Sequence, residues 1–292
     1  QKKSDKFKKD EIKMILFLTS SPTGPLDNSR YVDGIDDKNY LIDNFRKYWK
    51  SNAKCLYITA MPDNYALNDE IRFGMKETWE KDGFSICTFD IWDNRTTDFS
   101  KETLHSYDVI ILGGGHVPTQ NVFFQTISLR DKIQDFEGII ISISAGTMNS
   151  ADIVYAQPEE PGEGADPNYQ KFIPGLGLTG VNVCPHYQMV KDFHLDGMRL
   201  FEDITYKDSY GHEFVALPDG SYILSEDGIE TIWGESYLIK DGEFYCCYDS
   251  PETIAAKGAY VKEKGLGGMM YWTYNQDDEK GTLRTAVYES LE

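Results

Sequence analysis

Ser144 stands in a pattern that would make its hydroxyl a nucleophile. It lies in Ser142-Ile143-Ser144-Ala145-Gly146, directly after an apolar run and before a segment with helical character. A strand, a tight turn that carries a serine between small residues, and a helix form the nucleophile-elbow arrangement. Such a turn projects the hydroxyl from the end of the strand, and the N–H of Ala145 would point toward a developing oxyanion. Ser142 replaces the usual leading glycine, so a plain Gly/Ser-rich turn is the competing interpretation.

A nucleophilic serine needs a general base, and histidine is the usual one. The histidines are His105, His116, His186, His194 and His212. His186 is the strongest candidate because it follows the apolar run Val183-Cys184-Pro185, and catalytic side chains of α/β sheets gather at strand ends. We therefore expect His186 to be the base of Ser144.

The base in turn needs an acid that fixes its tautomer. Between the serine and the histidine the chain offers Asp152, Glu159, Glu160, Glu163 and Asp166. The order serine, acid, histidine is that of the α/β-hydrolase type. Glu159 ends the strand-like run 153–158, whereas Asp152 is too near the elbow and the later acids belong to a solvated loop. We therefore expect Glu159 to be the acid.

Three glycines, Gly113, Gly114 and Gly115, close another apolar run and precede His116. Glycines allow close backbone approach and present N–H donors, so Gly114 or Gly115 would supply a second oxyanion donor. The segment lacks the G-x-G-x-x-G spacing and the Lys-Ser/Thr pair of nucleotide-binding loops. We expect neither a cofactor nor a metal.

Short apolar runs alternate with helical patterns through the first half of the chain. The predicted strands are 14–18, 55–58, 84–89, 109–112 and 138–143, and the predicted helices are 41–50, 69–81 and 123–136. Unbroken apolar strands belong to a sheet that is covered on both faces. The pattern predicts a three-layer α/β fold with a doubly wound, mostly parallel sheet.

The second half changes character. Residues 158–167 are rich in Pro, Gly and acids and predict a loop. Turn signals at 217–222, 225–228 and 240–242 predict antiparallel strands at the edge of the sheet. A helix over 250–264 and a strand over Met269–Trp272 should follow.

Composition narrows the classes of function. The 292 residues carry a net charge of −19, which disfavours binding to nucleic acids and to anionic membranes. No apolar run is long enough to span a bilayer. The five cysteines suggest neither a disulfide framework nor a zinc site, so we expect reduced thiols and a cytoplasmic location. Because the chain begins with Gln, a signal peptide that has been removed stays an alternative. A homodimer is a further open alternative.

Several of these segments together resemble the peptidase E and cyanophycinase family of serine peptidases. The matching residues are Gly-Gly-Gly-His at 113–116, Ser-Ala-Gly at 144–146, Pro-His at 185–186 and Leu-Pro-Asp-Gly-Ser-Tyr at 217–222. The resemblance covers roughly residues 13–241 and implies a class I glutamine-amidotransferase-like fold.

The resemblance implies a serine peptidase that cleaves short peptides next to aspartyl residues. The family nucleophile falls on Ser144 and its histidine on His186. Its acid falls on Glu159, with Glu163 left open by loop length, and its oxyanion donors fall on Ala145 and the 113–115 glycines. A substrate aspartate needs a cation, for which Arg199, Arg30 and Lys191 are weak candidates.

The last 45 residues resemble a different family, the end of the family 18 glycoside hydrolases. The resemblance rests on 248–250, on Gly265–Trp272 and on 277–283, and in that family the Trp floors the sugar site. The D-x-x-D-x-D-x-E run is missing and the segment is too short for a barrel, so glycosidase activity is not expected. We divide the chain into a polar extension at 1–12, the peptidase-like domain at 13–247 and a C-terminal extension at 248–292.

Three alternatives stay open at this point. A non-catalytic binding module of the same fold would have a blocked serine and a misplaced Glu159. A glutamine-amidotransferase-type amidase would need cysteine where Ser144 stands. A sugar-binding protein would use Trp272 in an aromatic cleft far from the serine.

Overall fold

The computed structural model describes residues 14–22, 34–246, 251–270, 277 and 280–291. The chain divides into two units, Gln1–Tyr245 and Cys246–Glu292. The strands are β1 (Ile15–Thr19), β2 (Ala53–Ile58), β3 (Ile86–Trp92), β4 (Val109–Leu112), β5 (Ile139–Ile143), β6 (Ile153–Tyr155), β7 (Phe172–Pro174), β8 (Asn182–Cys184), β9 (His194–Leu195), β10 (Met198–Arg199), β11 (Glu213–Ala216), β12 (Tyr222–Glu226), β13 (Ile229–Trp233), β14 (Tyr237–Lys240) and β15 (Glu243–Cys246). The helices are α1 (Leu41–Tyr48), α2 (Tyr65–Lys81), α3 (Lys101–Leu104), α4 (Val117–Thr126), α5 (Leu129–Ile133), α6 (Ala145–Asn149), α7 (Tyr187–Val190), α8 (Tyr206–Asp208), α9 (Pro251–Lys264) and α10 (Thr282–Leu291), with a 3₁₀ turn at Lys38–Tyr40 and a π-helical turn at Leu200–Thr205.

The main sheet has seven strands in the order β13-β12-β1-β5-β4-β2-β3. The five strands from β1 to β3 in that order are parallel, and β12 and β13 add antiparallel pairs at one edge. The parallel register pairs Thr19 with Ile143 and Leu112 with Ser142. The residues that follow β1, β4 and β5 therefore meet at one edge of the sheet.

The parallel strands are buried on both faces, which explains their continuous apolar sequences. Neighbouring residues such as Leu16 and Phe17 are both fully buried but belong to cores on opposite faces. Phe45 of α1 and Trp79 of α2 cover one face, and Phe123 of α4 covers the other. The predicted three-layer, doubly wound α/β fold is confirmed.

The structure corrects two predicted elements. The helix predicted over 123–136 is two helices, because Ser128 has a left-handed backbone (φ 52°) and separates α4 from α5. Its beginning was also missed: α4 starts at Val117, and Pro118 fits the first turn, where no N–H partner is lost.

The predicted antiparallel edge is only partly right. The hairpin of β12 and β13 does lie at the edge of the main sheet. However, β14 and β15 belong to a separate four-stranded sheet in the order β15-β14-β11-β8. Within it β8 and β11 are parallel. The N–H of His186, which follows β8, donates to Ser20 Oγ just beyond β1, so the end of β8 lies at the edge of the main sheet.

The C-terminal unit contains α9 and α10, so the predicted helix over 250–264 is confirmed. A Cβ on Gly258 would lie 2.4 Å from Ser290 Oγ, which shows how closely these two helices pack. Met269 and Met270 form no strand, and the rest of the predicted strand, including Trp272, lies outside the described residues. None of the described helices combines the length and apolar character needed to cross a bilayer.

Phe17→Ala tests the aromatic core above the sheet. Phe17 is fully buried and its ring lies 4.6 Å from that of Phe45. Removing it should lower the free energy of unfolding by about 3–5 kcal/mol. Phe73→Ala is the matched control: Phe73 is 68% exposed, so its loss should cost less than about 0.5 kcal/mol. Urea unfolding measures both, and equal losses would contradict the assigned core.

Candidate active site

The loop between β5 and α6 is a sharp turn centred on Ser144. The serine has φ 50° and ψ −110°, a backbone conformation that L residues rarely adopt outside functional sites. Its N–H donates to Thr19 O (3.1 Å), and the N–H of Gly146 donates to Gly113 O (3.1 Å). These bonds fasten the turn to the ends of β1 and β4 on either side. Ser144 therefore lies in a tight strand-to-helix turn, and its role as a nucleophile stays a prediction.

The elbow leaves no room for a side chain at Gly146. A Cβ there would lie 2.3 Å from Leu112 O, well inside contact distance. Gly113 is equally confined, since its Cβ would lie 2.1 Å from the hydroxyl oxygen of Tyr57. The helix after the serine can therefore approach β4 because residue 146 is glycine, and glycine at position 113 leaves room for the Tyr57 hydroxyl.

His186 lies directly against the serine. Its Nε2 is 2.9 Å from Ser144 Oγ, as the sequence predicted for this pair. The histidine follows β8 and Pro185 and has a left-handed backbone (φ 56°), which turns its ring toward the main sheet edge. Its own N–H donates to Ser20 Oγ (2.6 Å), just beyond β1.

The acid beside His186 is Asp219, which corrects the prediction of Glu159. Asp219 Oδ1 lies 2.7 Å from His186 Nδ1, and the aspartate side chain is only 1% exposed. Ser20 Oγ donates to the same oxygen (2.7 Å), and Gln188 Nε2 donates to Oδ2 (2.6 Å). These three hydrogen bonds hold the buried carboxylate in one position and favour its ionised form.

Two opposing effects act on the pKa of Asp219. Burial favours the neutral acid, but the hydrogen bonds from His186, Ser20 and Gln188 and the charge of His186 outweigh it and lower the pKa. An ionised carboxylate only accepts hydrogen bonds, so Nδ1 of His186 carries the proton. Nε2 is then free to accept the proton of the Ser144 hydroxyl.

The sequence contained a signal for Asp219, but we searched for the acid only between the serine and the histidine. Asp219 stands in the turn 217–222, which we interpreted as the entrance to a strand and as part of the family resemblance, without a catalytic role for its aspartate. That strand, β12, pairs antiparallel with β1, so Tyr222 lies beside Thr19. The start of β12 therefore lies at the same sheet edge as the end of β1, although it is distant in sequence.

Glu159 lies on another wall of the site. Its Oε1 accepts the N–H of Val117 (2.9 Å) at the start of α4, and no hydrogen bond joins it to His186. Glu163, the other acid the sequence left open, lies 2.8 Å from His116 Nε2. Neither glutamate is bonded to the histidine beside Ser144, because the loop that carries them runs along α4.

The predicted oxyanion donors surround the serine. Ala145 is the first residue of α6, so its N–H has no acceptor within the helix. A Cβ on Gly114 would lie 3.4 Å from Ser144 Cβ, so the backbone of Gly114 borders the nucleophile directly. Gly115 has φ 150°, and its Cβ would lie 2.7 Å from Ala60 Cβ. The role of these three residues as oxyanion donors stays a prediction.

Neither of the two predicted substrate cations that the structure describes, Arg199 and Lys191, lines this cavity. Arg199 forms two hydrogen bonds of 3.0 Å with Asp203 on the surface. Lys191 is exposed at the end of α7, and Arg30 lies outside the described residues.

A cavity of about 200 Å³ opens beside the nucleophile. Ser144 and His186 line it together with Glu159 and Gln157, and apolar side chains form the remaining wall. Its volume is below the range of typical drug-sized pockets, so it suits a small group of a substrate.

One cluster near this cavity has the composition of a metal site. Ligand atoms of His116, Glu160 and Glu163 all lie within 4.8 Å of one another. Both ring nitrogens of His116 are already bonded, Nδ1 to Thr119 Oγ1 (2.7 Å) and Nε2 to Glu163 (2.8 Å). We assign no metal to this cluster.

A strained serine at a strand-to-helix turn, a histidine bonded to it and a buried acid bonded to the histidine define the site of a serine hydrolase. The profile of Peptidase family S51 matches residues 28–232. The chain therefore belongs to this family of serine peptidases, as its resemblance to peptidase E and the cyanophycinases implied.

Solved structures support the fold. A peptidase from an acI-B1 Actinobacterium is 16% identical, with a TM-score of 0.51 over 81% of this chain and 98% of that one. A putative peptidase E from Listeria monocytogenes EGD-e is 18% identical, with a TM-score of 0.47 over 75% of this chain and 98% of that one. The first likeness shows a shared fold at low sequence identity.

Curated proteins that match parts of this chain include chitinases. Chitinase 1 of Yersinia entomophaga is 46% identical over 56 residues, 19% of this chain and 10% of that protein. Chitotriosidase-1 of Mus musculus is 44% identical over 47 residues, 16% of this chain and 10% of that protein. The chain thus spans about a tenth of the length of these relatives. The partial matches agree with the family 18 resemblance of the C-terminal residues.

Gly146→Ala tests the confinement of the elbow. Alanine in a helix normally stabilises relative to glycine by about 1 kcal/mol. Here the clash with Leu112 O should reverse the sign and lower the free energy of unfolding by about 1–3 kcal/mol. Gly180→Ala is the control, since no atom lies within 4 Å of its Cβ position. Urea unfolding that shows Gly146→Ala as stable as wild type would contradict the described turn.

Asp219→Asn tests the charge of the buried acid. The pKa of Asp219 is lowered in the folded protein, so its carboxylate stabilises the fold fully above its unfolded pKa of about 3.9. That contribution is lost as the pH falls through the lower folded pKa. The variant should be less stable than wild type by about 1–3 kcal/mol near pH 7. The deficit should begin to shrink below about pH 4, where the unfolded-state carboxylate takes up its proton, and should vanish only when the pH falls through the lower pKa of the folded protein. Urea unfolding across this pH range measures it, and a deficit independent of pH would contradict an ionised Asp219.

Proposed function

We propose that this chain hydrolyses peptide bonds of short peptides through Ser144, His186 and Asp219, with a covalent acyl-enzyme intermediate. The observation that carries the proposal is the continuous chain of hydrogen bonds from Ser144 Oγ through His186 to the buried Asp219. This chain of contacts ends in a cavity that a small substrate group can enter.

In the first half-reaction, His186 Nε2 takes the proton of Ser144 Oγ as the oxygen attacks the scissile carbonyl carbon. The carbonyl oxygen becomes negatively charged, and the amides of Ala145 and of Gly114 or Gly115 donate to it. The C–N bond then breaks. His186 gives its proton to the departing amine, and the acyl group stays on Ser144.

In the second half-reaction, water replaces the amine. His186 Nε2 removes a proton from this water, which attacks the ester carbonyl of the acyl-enzyme. The C–O bond to Ser144 breaks, and the proton on His186 returns to the serine oxygen. The product acid leaves and the enzyme is restored.

Asp219 acts throughout without taking up a proton. Its lowered pKa keeps it ionised at neutral pH, so it holds the Nδ1–H tautomer and stabilises the imidazolium that forms in each half-reaction. Gln188 supports the acid from two sides, because its Oε1 also accepts the N–H of Asp219 (2.9 Å). Ser20 ties the acid to the backbone of His186.

The family resemblance further predicts an aspartyl residue next to the scissile bond. A panel of Asp-Xaa, β-Asp-Arg and neutral dipeptides, with product amines counted, tests both the reaction and this preference. Ser144→Ala should lower kcat about 10⁶-fold and Asp219→Asn about 10⁴-fold. Glu159→Gln should lower kcat far less than Asp219→Asn does, since the Glu159 carboxylate is bonded to the N–H of Val117 and not to His186.

Turnover that survives in purified Ser144→Ala would reject the proposed nucleophile. A loss of kcat in Glu159→Gln as large as in Asp219→Asn would reject the assignment of the acid. Binding of a dipeptide without turnover by the wild type would favour the non-catalytic member of the same fold.

A further inference from the structure

The carbonyl oxygen of Gly113, at the end of β4, accepts two hydrogen bonds. The N–H of Gly146 in α6 donates to it (3.1 Å), and Nε2 of Gln120 in α4 donates to it as well (2.7 Å). A carbonyl oxygen has two lone pairs, so both are occupied here. The Gly113–Gly114 peptide is therefore held on its carbonyl side by one backbone group and one side chain.

Fixing this carbonyl also fixes the direction of the N–H that follows it. The peptide between Gly113 and Gly114 is trans, and in a planar trans peptide the C=O and the N–H point in opposite directions. The N–H of Gly114 therefore points away from the two donors that hold the carbonyl. The backbone of Gly114 borders the nucleophile, since its Cβ position lies 3.4 Å from Ser144 Cβ. No described atom of the chain accepts this N–H, so it is open to a group that is bonded to Ser144.

The local sequence does not hold this peptide by itself. Gly113 and Gly114 have no Cβ, so their backbone dihedrals meet little steric resistance to rotation. Hydrogen bonds to the Gly113 oxygen must therefore supply the restraint that side chains supply elsewhere. One of them comes from the turn at Ser144, and the other comes from Gln120.

Gln120 is itself held in one orientation. It is fully buried, and its Oε1 accepts from Asn149 Nδ2 (3.0 Å), which leaves its Nε2 facing Gly113. Asn149 Oδ1 accepts from Asn121 Nδ2 (2.9 Å), and Asn121 Oδ1 accepts from Gln125 Nε2 (2.6 Å). These amides form a continuous network between α4 and α6 that ends at the Gly113 oxygen. The amide of Gln120 cannot turn over without losing a bond at each end.

The amide network lies where apolar packing would also join the two helices. Val117, Ala145 and Met148 belong to an apolar core at the same helices. Replacing both partners of a buried hydrogen bond by apolar groups of the same shape is often nearly neutral for stability. What the amides add to such packing is a fixed direction for each donor and acceptor, and the last donor in the network is Gln120 Nε2.

We propose that Gln120 is a positioning residue that holds the Gly113–Gly114 peptide, so that the Gly114 N–H donates to the oxygen that becomes negatively charged when Ser144 attacks a carbonyl. This inference rests on the proposed function, since that charge arises only if Ser144 is the nucleophile. Gln120 is not among the residues that line the cavity, so it acts through the backbone and not by contact with the substrate. Donors aimed in advance at a developing charge stabilise the transition state most.

A reversible adduct of Ser144 tests this donor without turnover. The probe is the trifluoromethyl ketone analogue of N-acetylalanine, labelled with ¹³C at the ketone carbon. The Ser144 oxygen adds to this carbon, the π electrons of the carbonyl move to its oxygen, and His186 takes the serine proton, so that a hemiketal forms and no group leaves. The ¹³C shift follows protonation of the hemiketal oxygen, and a pH titration gives its pKa. Hydrogen bonds to the ionised oxygen lower this pKa.

The proteins compared are wild type, Gln120→Met and Gln125→Met. Both substitutions exchange a neutral side chain for a neutral one of similar length, so the charges near Ser144 do not change. Gln125→Met is the matched control, because Gln125 lies on the same helix and in the same network but donates to Asn121 and not to Gly113.

We expect Gln120→Met to raise the pKa of the hemiketal oxygen by about one to two units, and Gln125→Met to keep the wild-type value. Complete removal of an oxyanion donor costs about 10²–10³-fold, and a misdirected donor costs less. On a neutral dipeptide, Gln120→Met should lower kcat about 10- to 100-fold and leave KM within about threefold, since the charge is present only in the transition state. If Gln120→Met does not fold, Asn149→Leu removes the bond that orients the Gln120 amide and should raise the same pKa by a smaller amount.

An unchanged hemiketal pKa in folded Gln120→Met would overturn the inference. So would an equal rise in Gln125→Met, because the effect would then come from a loosened α4 and not from the bond to Gly113. The proposed function fails in a different way. If the wild type forms no hemiketal, or if Ser144→Ala still gives the hemiketal signal, Ser144 is not the nucleophile and the inference is rejected with it.

Discussion

The hydrogen bond between His186 and the buried Asp219 is the interaction on which the site depends. A carboxylate removed from water is costly unless it is fully bonded, and here three donors from two distant parts of the chain meet it. Ser20 follows β1, His186 follows β8, and Asp219 precedes β12. The buried carboxylate of Asp219 therefore joins the two sheets. One is the four-stranded sheet that carries β8, and the other is the main sheet that carries β1 and β12.

The elbow imposes the second constraint, which is steric. Ser144 keeps its positive φ while α6 lies close against β4, and this approach needs glycine at position 146, where a Cβ would meet Leu112 O. The same close approach brings the backbone of Gly114 beside the serine. The strained backbone of Ser144 and the glycines around it therefore belong to the same tight turn.

Much of this arrangement was predictable from local sequence. Unbroken apolar runs identified the buried parallel strands, and small residues around Ser144 identified the elbow, because both patterns report short-range requirements. The acid was not predictable in this way. Asp219 reaches His186 because β12 pairs antiparallel with β1, a contact between residues about 200 positions apart. The sequence between the serine and the histidine offered another acid, Glu159, which the structure does not place beside His186. The helix boundary at Ser128 and the separate four-stranded sheet were also not predicted. Neither the left-handed backbone of one serine nor the pairing of strands produces a periodic pattern in the sequence.

The most direct test of the account is the proton between His186 and its acid, observed by NMR of histidine-labelled protein. An Nδ1–H that is bonded to a buried carboxylate gives a strongly downfield resonance that exchanges slowly with water. We expect this resonance in wild type and in Glu159→Gln, and we expect its loss in Asp219→Asn with retention of the remaining histidine signals. A resonance that survives in Asp219→Asn and disappears in Glu159→Gln would contradict the account, because Glu159 would then be the acid that orients the base.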